Sequence, residues 1–135
     1  MNSLSPELYW TTVTALMTSV MWAPHILQRI VEMKPYKAFR DPRHDEPTLA
    51  PFAQRAIRAH TNAIENLVVF GVLAIIVHLT GNGDALTAQA AMIYFIARAA
   101  HYVIYVAAVP WLRTPVYLVS WGCQIVLGGR LLGWW

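Results

Sequence analysis

Four stretches of this chain, at about residues 8–31, 53–79, 85–109 and 114–132, are mainly apolar over the length of about 20 residues that a helix needs to cross a bilayer. With 57% hydrophobic and 13% charged residues, the chain is too apolar for an ordinary soluble domain. The runs are continuous and do not alternate, which argues against barrel strands and for helices. Their links are rich in turn residues: 34–52 carries Pro and charge, Thr80-Gly81-Asn82-Gly83-Asp84 is a short turn, and Pro110 and Pro115 bracket the third. Short links make antiparallel neighbours. The expectation is an all-α membrane protein, an antiparallel four-helix transmembrane bundle, with residues 1–135 as one domain and no internal repeat.

Charge sets the orientation. Lys34, Lys37, Arg40, Arg43 and Arg55 lie in or beside the first link and Arg113 lies in the third, whereas the second holds Asp84 and no basic residue. The first and third links are therefore expected on the cytoplasmic side, with both termini opposite. The net charge of +3 is not interleaved with aromatics as in a nucleic-acid binder, so nucleic acid is excluded as a partner. The start Met1-Asn2-Ser3-Leu4-Ser5-Pro6-Glu7 has no basic region before its apolar run and fits a cleavable signal poorly. No retention or transit signal is evident, which points to a bacterial inner membrane. The single cysteine, Cys123, allows no intramolecular disulfide and reads as a small core residue. Trp10, Trp22, Trp111, Trp134 and Trp135 near helix ends read as interfacial anchors.

Against this background, polar side chains inside the apolar runs stand out, because each ionisable group at mid-membrane costs about 2.5 to 3.5 kcal/mol and normally marks a site. On the second helix Arg58, Asn62 and Glu65 fall at i, i+4 and i+7 and share one face, while His60 and Asn66 point elsewhere, toward another helix, a neighbouring subunit or the headgroups. The third carries Arg98, His101 and Tyr105 at matching spacing, with Tyr94 one turn earlier and Tyr102 beside them. At about 1.5 Å per residue Glu65 and Arg98 come out about 16 and about 15 Å deep. That depth match predicts an Arg98–Glu65 ion pair, with Arg58 level with Tyr105. Arg29 and Lys34 read as snorkelling anchors, and His25 and His78 as isolated interfacial histidines. His44-Asp45-Glu46 has no partner at metal-ligand spacing, so no metal site is expected.

The run Gln54-Arg55-Ala56-Ile57-Arg58-Ala59-His60-Thr61-Asn62-Ala63-Ile64-Glu65-Asn66 resembles the second-helix signature of the MAPEG family, the membrane-associated proteins in eicosanoid and glutathione metabolism. A second match is Ala97-Arg98-Ala99-Ala100-His101-Tyr102-Val103-Ile104-Tyr105, followed by Leu112-Arg113-Thr114-Pro115. The resemblance implies a homotrimer of four-helix subunits that binds glutathione between adjacent protomers near the cytoplasmic side. Carried over by position, Arg58, Asn62, Glu65, Arg98, His101 and Tyr105 would hold it. The side-chain chemistry agrees, since glutathione offers two carboxylates and an ammonium, which call for guanidinium forks and a carboxylate.

Family members also use an arginine at the start of the fourth helix to stabilise the thiolate, whose free pKa is near 8.5. Arg113 is the match here; aligning on Pro115 instead puts the position on Tyr117, with Ser120 one turn on. The function implied is a membrane-embedded glutathione transferase or peroxidase acting on hydrophobic electrophiles or lipid hydroperoxides. The alternative is a non-catalytic binding or scaffold protein that has lost thiolate activation. A proton-coupled exporter ranks last, because the arginines would hold Glu65 ionised.

Overall fold

A computed structural model describes residues 4–40 and 48–135. Every regular element in them is helical: α1 (Pro6–Val20), α2 (Ala23–Met33), α3 (Pro35–Arg40), α4 (Pro51–Leu79), α5 (Ala85–Val106) and α6 (Arg113–Leu131). The motif His44-Asp45-Glu46 and Arg43 lie outside the described residues.

Proline explains where the first apolar run departs from expectation. Ser5 caps α1 by accepting from the Leu8 N–H at 3.4 Å, and Pro6 opens the helix where its missing N–H costs nothing. The run 8–31 was expected as one helix but is two, parted at Met21 and Trp22. Pro24 has no N–H for the Val20 carbonyl and its ring would collide with that group, so the helix stops and restarts. The Tyr102 hydroxyl of α5 donates to the Met21 carbonyl at 2.8 Å and ties the break to the rest of the molecule. α2 ends because Lys34 sits at φ 63°, ψ 149°. That region is close to glycine-only and costs other residues about 1–3 kcal/mol. Pro35 then opens α3, a short helix inside what the sequence presented as a plain connection.

At the opposite end the chain turns through Gly81, at φ 68°, into a capping box. The Thr87 N–H donates to Asp84 Oδ1 at 2.9 Å and the Asp84 N–H donates to Thr87 Oγ1 at 2.8 Å. The Thr87 amide holds the Asp84 carboxyl below its ordinary range; the Arg130 guanidinium, 2.9 Å away at the end of α6, lowers it further. Thr87 Oγ1 also donates to Oε1 of the buried Glu7 at 2.6 Å, joining the starts of α1 and α5. α5 stops at Val106, three residues before the expected 109, because Ala108 (φ 57°) and Trp111 (φ 68°) leave helical space on either side of Pro110.

α1 lies against α4 and α5, α6 closes on both, α2 rests on α4, and α3 touches α2. Phe70, Ala74, Val77, Ala90, Ala91, Tyr94, Cys123 and Leu127 form the core, with the Phe70 and Tyr94 rings stacked 3.7 Å apart. Trp10, expected as an interfacial anchor, instead packs on this core and on Phe95, with ring centroids 5.4 Å apart. Outward, Val68, Val69, Val72, Ile75 and Ile76 of α4 are exposed. Among the described helices α4 is the one long and apolar enough to cross a membrane by length and composition, with mean hydropathy 1.9. The break leaves α1 and α2 too short for that test one by one, and Arg98, His101, Gln124 and Arg130 dilute α5 and α6.

Candidate functional site

Charged and polar side chains gather where α4 and α5 meet the start of α6. A cavity of about 460 Å³ opens there. Arg58, Asn62 and Glu65 line it from α4 with Ile57 and Thr61, as the helical spacing requires. His101 and Tyr105 come from α5, and Arg113, Thr114 and Tyr117 come from α6. The volume is ordinary for a small-molecule site. Arg58, Glu65 and Arg113 are exposed, Asn62, Tyr105 and Tyr117 are half-buried, and His101 is buried.

Arg98, expected in the site, does not line the cavity but lies behind Asn62. Its side chain is 1% exposed, and Nη2 donates to Asn62 Oδ1 at 2.8 Å. Nε and Nη1 have no hydrogen-bond partner within the described residues. The expected Arg98–Glu65 ion pair is not formed among the described residues. Helix limits account for the correction: Arg98 lies eight residues before the end of α5 at Val106, about 12 Å, whereas Glu65 lies fourteen residues after Pro51, about 21 Å. Asn62, one turn earlier, is the closer match in depth and faces inward, while Glu65 turns out toward the opening.

The rest of the wall is aromatic. The His101 ring centroid lies 5.7 Å from that of Tyr105 and 6.1 Å from that of Tyr117. The Arg113 guanidinium stands 5.4 Å over the Tyr105 ring, a cation–π arrangement that places it at the mouth. Arg55, Arg58 and Arg113 also border an adjoining cavity of about 310 Å³ that shares the Tyr105 wall, so this end is strongly electropositive. Arg55 is held there by donating from Nε to the Val106 carbonyl at 2.8 Å. Ser120, the residue one turn beyond Tyr117, is buried and donates to the Tyr117 carbonyl at 2.7 Å, so its hydroxyl is committed within α6.

His60 and Asn66 face away from the stripe, as their phase predicts. His60 meets His25 of α2, ring centroids 5.9 Å apart, so His25 is not isolated. Asn66 is buried on the α6 side, where Gln124 Nε2 donates to its Oδ1 at 3.3 Å. Sequence reasoning passed over Gln124 and Glu7; the available signal was a polar residue in or beside an apolar run.

Both signs of charge and several hydrogen-bonding groups thus meet at one end of a helical assembly with apolar flanks. The MAPEG family model matches residues 8–133, nearly the whole chain. The chain belongs to the MAPEG family. No curated protein matches it closely enough to serve as a named relative. Family membership makes this MAPEG chain a membrane protein, in keeping with α4, and ties the stripe on α4 and α5 to one continuous match.

Proposed function

We propose that this MAPEG protein binds glutathione in the cavity between α4, α5 and α6 and presents its thiolate to hydrophobic electrophiles that partition from the bilayer. One observation carries the reading: the cavity gathers two exposed guanidiniums, Arg58 and Arg113, and one exposed carboxylate, Glu65, over a hydrogen-bonding floor. Glutathione is the complementary ligand, with Arg58 for a carboxylate, Glu65 for the ammonium and Arg113 for the anionic sulfur. Asn62, His101 and Tyr105 supply hydrogen bonds for the peptide groups, and Arg98 fixes Asn62 from below.

Arg113 is assigned to the sulfur. A guanidinium beside a thiol favours the anion by direct charge interaction, with the released proton passing to water at the open mouth. The thiolate then attacks an electrophilic carbon, forming the C–S bond as the leaving group departs with its electron pair. With a hydroperoxide, sulfur takes the distal oxygen, an alcohol leaves, and a second glutathione yields water and the disulfide. Tyr117, in the same wall, is the reserve hydrogen-bond donor to sulfur.

The same reading assembles three copies, each with four membrane crossings formed by α1–α2, α4, α5 and α6. The first and third connections lie on the cytoplasmic side and each cavity is completed by the neighbouring protomer. The two unpartnered donors of Arg98 and the outward Glu65 support a site finished by ligand or neighbour. A second reading, a binding protein without thiolate activation, is favoured by one contact: Arg113 lies over Tyr105, which occupies the guanidinium within the chain. Titrating detergent-solubilised protein with glutathione, then adding an aryl halide, separates them. Binding with a thiolate absorbance band and turnover supports the enzyme, binding without the band supports the second reading, and no binding contradicts both.

A further inference from the structure

A half-open cavity of about 540 Å³ lies at the junction of α2 and α3, separate from the site above, bordered by Arg29, Lys34, Lys37 and Glu32 with Met33 and Leu49. Among the described residues that line it, the one carboxylate is already committed. Glu32 Oε1 accepts from Thr48 Oγ1 at 2.7 Å, from the Ala50 N–H at 3.2 Å and from Gln28 Nε2 at 3.2 Å. The ammonium groups of Lys34 and Lys37 have no hydrogen bond or ion pair among the described residues.

Lys34 is also the residue at φ 63°, a backbone state that glycine would occupy freely. Such strained positions persist where the surrounding structure holds them, and they cluster at ligand clamps and active sites. Beside the lysines Val31, Tyr36 and Phe39 project apolar and aromatic surface, 76%, 76% and 81% exposed. A solvated loop would not pair that apolar surface with unpartnered ammonium groups. The headgroup layer of a bilayer accommodates both, with aromatic rings and aliphatic lysine stems at the interface and charge on phosphate.

We propose that this cavity seats the headgroup of an anionic phospholipid, with Lys34 and Lys37 on the phosphodiester and Val31, Tyr36 and Phe39 against the start of the acyl chains. The proposal rests on the placement of the first connection, which holds α3, at the cytoplasmic side of a membrane, and is independent of glutathione. A mere excess of positive charge on one side requires neither a cavity at the lysines nor a lysine in a glycine conformation.

The test is native mass spectrometry and thermal denaturation of the delipidated full-length protein, given phosphatidylglycerol or phosphatidylcholine with identical acyl chains. Phosphatidylglycerol should survive collisional activation that strips phosphatidylcholine, and should raise the melting temperature more. Lys34→Gly with Lys37→Gln removes both charges while relaxing the backbone. In this variant the preference should fall by on the order of tenfold or more, at about a factor of five per lysine lost at the surface. Its melting temperature in phosphatidylcholine should not fall, and its glutathione conjugation rate should be unchanged. Equal retention of the two lipids by the wild type, or an intact preference in the variant, would overturn the proposal. Stabilisation by free glycerol phosphate equal to that by phosphatidylglycerol would also overturn it, in favour of a soluble phosphate ligand.

Discussion

Replacing Asn62 by Leu tests how the floor of the site is built. Arg98 is 1% exposed and makes a single hydrogen bond, from Nη2 to Asn62 Oδ1 at 2.8 Å. Leu is of similar size but accepts nothing, so the substitution leaves a buried guanidinium with no acceptor among the described residues. Losing a charge-assisted hydrogen bond to a buried ion costs about 1.5–3 kcal/mol. Glu65 is exposed and pairs with nothing among the described residues, so Glu65→Gln should stay within about 0.5 kcal/mol of wild type. Equilibrium unfolding in mixed detergent and dodecyl sulfate micelles reads both values. An Arg98→Leu background completes a double-mutant cycle in which the cost of Asn62→Leu should largely vanish. A loss from Glu65→Gln equal to or larger than that from Asn62→Leu would refute the argument and restore the ion pair expected from sequence.

Other consequences follow from named contacts. Thr87→Val strips the donor from the buried Glu7 carboxylate and breaks one arm of the capping box, so it should lower stability by about 1–3 kcal/mol in the same unfolding assay. The Asp84 carboxyl is held below its ordinary range, so its stabilising contribution is present above the unfolded-state pKa and is lost as pH falls through the lower folded value. Melting temperature should therefore fall below about pH 4, and Asp84→Asn, which can still cap α5, should show a smaller fall. Phe70→Ala removes the ring stacked on Tyr94 in the core and should cost about 3 kcal/mol or more, read as a lower unfolding midpoint.

Helical phase made much of the site legible. The spacing of Arg58, Asn62 and Glu65, and of His101 and Tyr105, needs only the helical repeat, and all five line one cavity. Phase also turned His60 and Asn66 away from the stripe, toward His25 and Gln124. Depth was less secure, because it accumulates error from both helix ends: α5 ends at Val106 and α4 starts at Pro51, which moved the partner of Arg98 by one turn, from Glu65 to Asn62. Pro24 signalled the break in the first run, but continuous hydrophobicity on both sides hid it. The Glu7–Thr87 and Gln124–Asn66 contacts join residues far apart in sequence that share no motif, so only the packed helices bring them together.

The central claim is that this cavity holds glutathione with its sulfur ionised. Difference absorbance in the far ultraviolet, recorded at neutral pH as glutathione is added to wild-type and Arg113→Ala protein, tests it most directly. The account predicts a saturable thiolate band in the wild type, and in Arg113→Ala saturable binding, followed by calorimetry, with the band greatly reduced. Absence of glutathione binding to the wild type, or a thiolate band of full strength in Arg113→Ala, would contradict it.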